Sequence, residues 1–212
     1  MTDTRQHKWW ALALICLVAF MVVLDIAIVN VAIPSIQVDL GLSQENLQWV
    51  ISAYALAFGG FLLLGGRMAD LLGRRRIFMA GIVVFTIGSL LCGLSWSQET
   101  LITARALQGL GAALLSPAAL SILTVTFAEG RERNIALGAW GATSGFGAAA
   151  GVLFGGILTD LLSWEWIFFV NVPVGVGALI VTPFLIGESR DERAKSFDAL
   201  GAVLVTSGLA LL

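Results

Sequence analysis

The chain has 212 residues, of which 58% are hydrophobic and only 12% charged, with a net charge of −2 at neutral pH. Soluble domains devote roughly a quarter of their residues to charge, so this balance excludes an ordinary soluble globule and points to a protein embedded in lipid. It also excludes the broad basic surface that nucleic acid needs, and one histidine (His7) with two separated cysteines (Cys16, Cys92) supplies no usual zinc ligand set.

Apolar stretches long enough to cross a bilayer, which takes about 20 helical residues, lie at about 9–33, 47–65, 77–94, 101–127, 135–158 and 166–186. Six spans are therefore expected. The first follows Arg5, His7 and Lys8, a start that a signal peptide shares, but its apolar run is too long for a signal core and lacks a small-x-small cleavage site. It reads as a retained span. A seventh run begins at Leu200 and reaches Leu212, 13 residues that fall short of a crossing. The resulting division is an N-terminal tail at 1–8, a six-span bundle at 9–187, a connector at 188–199 and an incomplete seventh span at 200–212.

Lysine and arginine in short connectors collect on the cytoplasmic side and so report orientation. Here Arg5 and Lys8 precede span one, Arg67, Arg74, Arg75 and Arg76 follow span two, Arg131 and Arg133 follow span four, and Arg190, Arg193 and Lys195 follow span six. The connectors between carry none. That places the N-terminus and the even-numbered connectors in the cytoplasm of a multi-pass cell (inner) membrane protein, and leaves Arg105 as the one cation inside a span. Trp9, Trp10, Trp49, Trp96, Trp164 and Trp166 fall near span ends, where indoles anchor to the interface.

The residues 65–72, Gly-Gly-Arg-Met-Ala-Asp-Leu-Leu, return at 155–162 as Gly-Gly-Ile-Leu-Thr-Asp-Leu-Leu. One copy closes span two and the other span five, which run in opposite directions. Such a repeat suggests two inverted three-helix units. The arginines are confined to the first copy, as its cytoplasmic side requires.

Asp25, inside span one, costs on the order of 2.5–3.5 kcal/mol to insert when ionised. Two readings are open: a carboxylate that binds and releases protons, or a structural acid bonded to a neighbouring helix. Arg105 shares its helix face with Gln108, Ala112 and Ser116, a polar and small stripe that suits either a water-filled cavity or close packing with Arg105 snorkelling outward. We take the cavity reading, and assign Asn30 of span one to the same wall. Pro117 removes a donor from span four and invites a kink.

In span five, Gly147, Gly151 and Gly155 recur every fourth residue along one face, with Gly156 beside them, a pattern for close helix contact or for a contact that slides. Asp70 and Arg74 flank Gly73 in the basic connector; the segment serves either as a topology signal alone or as a set of local ion pairs. No Gly-rich loop with a following lysine cradles a phosphate, so no cofactor, metal site or enzymatic activity is expected.

With these residues laid out, the chain resembles the major facilitator superfamily, and within it the 14-span drug:proton antiporters. The motif from Gly66 to Arg76 is similar to the loop between helices two and three, and Arg105-Ala106-Leu107-Gln108-Gly109-Leu110-Gly111 to the helix-four motif. The run from Leu24 to Pro34 resembles the branch's first-helix signature, and that from Trp164 to Gly175 its entry into helix six. Ala27, Glu165 and Val152 depart from the threonine, arginine and proline usual there.

The resemblance implies an all-α, polytopic fold, the six-helix N-terminal bundle of a major facilitator with two inverted three-helix repeats and the start of a seventh helix. It implies proton-coupled efflux of hydrophobic or amphipathic drugs, with Asp25 and Arg105 coupling protons. The loop residues Gly66, Asp70, Gly73, Arg74 and Arg75 would latch onto a C-terminal bundle expected in cis, so their partners should lie beyond Leu212. The expected partners are the lipid bilayer, protons and a small hydrophobic substrate. Two alternatives are a non-transporting fragment or split-gene interaction partner, and a dedicated metabolite exporter of the same fold.

Overall fold

A computed structural model describes residues 3–190 and Gly208. Arg193, Lys195 and all of the expected seventh span except Gly208 fall outside the described residues. The helices are α1 (Asp3–Leu40), α2 (Gln44–Leu72), α3 (Arg74–Gly93), α4 (Gln98–Thr126), α5 (Arg131–Leu161), α6 (Trp166–Phe169) and α7 (Asn171–Leu185), with no strand among the described residues. Six segments are long and apolar enough to cross a membrane, α6 and α7 counting together as Trp166–Leu185. The chain is an all-α, multi-pass membrane protein.

Two boundaries differ from the sequence reading. Span one does not stop before Pro34: α1 runs through it to Leu40. A proline inside a helix removes one backbone bond and strains the turn before it, and the cost is local enough for the apolar run on either side to carry the helix past it. The basic connector is likewise not an extended loop. Residues 65–72 are the last two turns of α2, and only Gly73 separates them from α3. Its φ of 112° and ψ of 129° lie in a region that favours glycine, which turns the chain sharply between two helices.

Other helix starts are set by side chains. Ser43 accepts from the Asn46 amide, and Ser97 and Thr100 form a reciprocal capping box at the start of α4. The sixth span breaks at Val170. Pro173, three residues later, has no N–H to return to the Phe169 carbonyl, so α6 ends there and α7 begins with proline in its first turn.

The most extensive packing is between α2 and α4, α3 and α4, and α1 and α5. An exchange of α1 with α4, α2 with α5 and α3 with α6–α7 maps the α2/α4 contact onto α5/α1 and the α3/α4 contact onto α6–α7/α1. Two inverted three-helix units therefore build the bundle. Inside it, one apolar cluster gathers Ile15, Val18, Phe78, Phe85, Leu123 and Phe127. A second gathers Ile28, Val29, Ile36, Leu101 and Ile167. Asp25 and Arg105 sit between the two, in a thin polar layer.

Candidate functional site

The polar layer is assembled from every membrane helix except α5. Asp25 is fully buried and Arg105 only 2% exposed. Arg105 Nη1 lies 2.6 Å from Asp25 Oδ2 and donates to Gln108 Oε1 at 2.7 Å, while its Nε donates to the Val50 carbonyl of α2 at 3.1 Å. The guanidinium lies over the Tyr54 ring, 4.3 Å from its centroid, and 5.8 Å from that of Phe168. A planar guanidinium is the cation suited to these contacts, since it offers several donors in one plane and stacks on aromatic faces.

The other carboxylate oxygen is served by amides. Gln108 Nε2 donates to Asp25 Oδ1 at 2.7 Å and Asn171 Nδ2 at 3.0 Å. Asn171 also donates to Ser89 Oγ at 3.1 Å, and Ser89 in turn donates to the Phe168 carbonyl at 2.9 Å. Cys92 Sγ lies 3.6 Å from Gln108 Oε1. The layer forms because α3 comes close to α4: a Cβ at Gly88 would stand 2.8 Å from the Gln108 backbone, so only glycine admits that approach.

Such a layer holds one negative and one positive charge, paired, hydrogen-bonded and sealed from solvent. Its hydrogen bonds tie α1 to α4 and α7 at one level of the bundle.

The remaining expected residues are placed as follows. Gln108 and Ala112 do not line a cavity: both are fully buried, Gln108 in the polar layer and Ala112 in apolar packing, because the Arg105 face turns inward. Ser116, one helical step on, does line a cavity of about 270 Å³. Val22 and Ile26 of α1, Phe58 of α2, and Trp140 and Thr143 of α5 complete its walls. Asn30 lies elsewhere, exposed on α1, where its amide donates back to the Ile26 carbonyl at 2.7 Å.

Gly147, Gly151 and Gly155 lie against α1, where added Cβ atoms would come 3.0 Å from Val23, 2.5 Å from Ala27 and 2.9 Å from Val31 respectively. Gly156 faces open space. Its twin Gly66 faces Pro117 of α4, at 3.4 Å for a Cβ. Trp164 is not an interfacial anchor: it is buried, and its indole donates to Asp39 Oδ2 at 2.9 Å.

At the arginine-bearing end, Asp70 pairs with Arg74 across Gly73 at 3.2 Å. Arg75 and Arg76 share a partner inside this chain, one that the sequence reading did not foresee. Glu188, just past α7, lies 3.8 Å from Arg75 Nε and 3.6 Å from Arg76 Nε, and accepts from the Arg75 amide at 3.2 Å. Ser189 accepts from the Arg74 amide at 2.8 Å. An acid at a helix N-terminus complements the unpaired amides there. On the same side of the bundle, Lys8 and Glu132 join α1 to α5 at 2.6 Å.

Tyr54, Ser89, Asn171, Phe168 and Glu188 were not singled out from the sequence. Two of them carried a signal: Tyr54 is the chain's one tyrosine and Asn171 a polar amide within an apolar span.

The sequence model of the Major Facilitator Superfamily matches residues 15–209. The chain is 50% identical over 206 residues to the puromycin resistance protein of Streptomyces alboniger, covering 97% of this chain and 41% of that protein. It is 46% identical to the cephamycin export protein of Amycolatopsis lactamdurans, over 100% of this chain and 44% of the relative. With the tetracenomycin C resistance and export protein of Streptomyces glaucescens the identity is 40%, over 98% and 39%. The chain thus spans less than half the length of these relatives. Among solved structures it superposes on a peptide transporter with a TM-score of 0.73 at 20% identity, covering 96% of this chain and 45% of that one. A bacterial homologue of the lysosomal transporter Spinster, in an inward-facing state, gives 0.68 at 22% identity, covering 84% and 42%.

Proposed function

Because the chain belongs to the Major Facilitator Superfamily, we propose that it supplies the first six-helix bundle of a proton-driven exporter of hydrophobic or amphipathic compounds. In this reading the bundle sits in the cell (inner) membrane with its N-terminus in the cytoplasm. Export is supported by relatives named for antibiotic resistance and export, and the orientation by the one-sided distribution of arginine and lysine.

The observation that carries the coupling is the buried Asp25–Arg105 pair at 2.6 Å. Two charges within the membrane part of a bundle are expensive and mark a proton or ion path more often than a fold requirement. A proton from outside neutralises Asp25 and leaves Arg105 with Gln108, the Val50 carbonyl and two aromatic rings. The bundle then rocks against a second one, and the cavity beside Ser116 and Trp140 exchanges its cargo outward. The proton then leaves on the cytoplasmic side and the pair between Asp25 and Arg105 re-forms.

A dedicated exporter of one compound is the second reading, favoured by relatives named for single antibiotics. A panel of fluorescent hydrophobic probes and antibiotics separates a broad from a narrow range. The coupling is tested in inverted membrane vesicles carrying the full-length protein. Probe accumulation should collapse with a protonophore and be lost in Asp25→Asn. Accumulation indifferent to both would remove proton coupling.

A further inference from the structure

We infer that Asn171 is a positioning residue for Asp25, and that its bond to the carboxylate makes the sixth span sensitive to whether Asp25 holds a proton. The inference rests on the proton-coupling reading and adds to it an element that would respond.

The hydrogen-bond inventory of the layer leaves one place for a proton. Asp25 Oδ2 faces Arg105 Nη1 at 2.6 Å, and a proton placed there would meet a permanent cation. Oδ1 accepts from two neutral amides, Gln108 at 2.7 Å and Asn171 at 3.0 Å. A protonated Oδ1 becomes a donor, so one amide must withdraw. Gln108 is held by its own oxygen, which accepts from Arg105 on the same helix at 2.7 Å. Asn171 has the longer bond to Asp25, and its other bond goes to Ser89. Asn171 is therefore the group that yields.

Its position gives that release a direction. Asn171 opens α7 immediately after the break at Val170, and Ser89 of α3 holds both sides of the break, accepting from Asn171 and donating to the Phe168 carbonyl. Past the far end of α7 lies Glu188, which accepts from the Arg75 amide at the start of α3. The sixth span is thus fastened at the charged layer and at the arginine-bearing end, and the first fastening depends on the charge of Asp25. The groups facing Asp25 from the helices around it are Arg105 and Gln108 (α4), Asn171 (α7), Ser89 and Cys92 (α3), and Tyr54 (α2). Among the described residues, Asp25 and Arg105 are the only buried charged groups.

The test is infrared difference spectroscopy on the full-length protein in liposomes, which needs no substrate. The carboxylic C=O band of Asp25, assigned by its loss in Asp25→Asn, is titrated with pH. Removing a donor to the ionised form makes the proton harder to lose, so in Asn171→Leu and in the smaller Asn171→Ser the midpoint should move to higher pH by about one unit. A merely structural role for Asn171 would lower stability and leave the midpoint in place, and an unmoved midpoint in a monodisperse variant overturns the inference. Wild-type protein labelled with ¹³C-asparagine gives a reading without any variant: a side-chain amide band should shift at the midpoint of Asp25, and its constancy would also overturn the inference. If no band disappears in Asp25→Asn at any pH, Asp25 does not titrate and the coupling reading fails with it. A band that titrates with the same midpoint in all forms sinks the Asn171 role alone.

Discussion

Asp25 and Arg105 were the two residues that a lipid environment could not hold cheaply, and each therefore stood out in the sequence by itself. Their pairing did not, because 80 positions separate them and no local rule joins one helix to another. The neutral members of the layer were less visible still. Ser89 costs little to place in an apolar span, and Asn171, though a polar amide in such a span, carries no charge to name its partner. Gln108 was visible as part of a stripe but was given the wrong surroundings, since a polar stripe fits a cavity wall and a buried network equally well. The pair also makes a stability prediction. Arg105→Ala leaves Asp25 buried without its cation, a loss of roughly 3–5 kcal/mol, which thermal unfolding of the purified protein should register as a lower midpoint. Adding Asp25→Asn removes the stranded charge, so the double variant should be more stable than Arg105→Ala alone. A double variant no better than the single would mean that the ion pair is not what Arg105 stabilises.

Among the elements, the glycine face of α5 was legible as a contact face, because glycine every fourth residue lines one side of a helix, but that α1 is the helix against it was not. Such a face brings a backbone against a neighbour. Gly151→Val would press onto Ala27 and the turn beside Ile28, with an expected loss of about 1–3 kcal/mol from overpacking. Gly156→Ala, one face away and in open space, should change stability by no more than about 1 kcal/mol, in the stabilising direction that helix propensity favours. Equal losses in a melting comparison of the two variants would contradict the assignment of the packed face.

Helix ends were harder to read. The stop at Gly73 and the acid at Glu188 that meets it lie 115 positions apart, and Glu188 went unnoticed because it follows the sixth span as part of an ordinary polar tail. The doubled Gly-Gly motif separates what the two copies share from what they do not. Gly66 and Gly156 occupy the same place in the repeat, yet one meets Pro117 and the other open space.

For the molecule as a whole, the number of spans and their inverted pairing followed from hydropathy, charge placement and the internal repeat, and the family from the resemblance of the motifs at 24–34, 66–76, 105–111 and 164–175. The exposed faces were not legible in the same way. Of the apolar windows of α2 and α5 only 22% is buried, against 56% for α1 and α3, so these two helices present the faces on which, in the proposed exporter, a second bundle would move. Leu63 of α2 and Phe146, Leu153 and Leu161 of α5 are among the side chains left outward. The cavity wall at Ser116 and Trp140 is shared by the same two helices and by α1 and α4. It carries hydroxyls and an indole but no charge, a lining that in the proposed exporter would suit an amphipathic cargo.

If cargo and proton movement are joined through Asp25, a gradient of cargo must drive a flux of protons. Full-length protein is reconstituted in liposomes that enclose a pH-sensitive dye, and a gradient of a transported compound is imposed with no initial pH difference. Wild-type protein should move protons against the compound's flow. Asp25→Asn should still exchange labelled for unlabelled compound while moving no protons. Cargo-driven proton flux that persists unchanged in Asp25→Asn, or cargo movement by wild-type protein without any proton flux, would rule out coupling through Asp25.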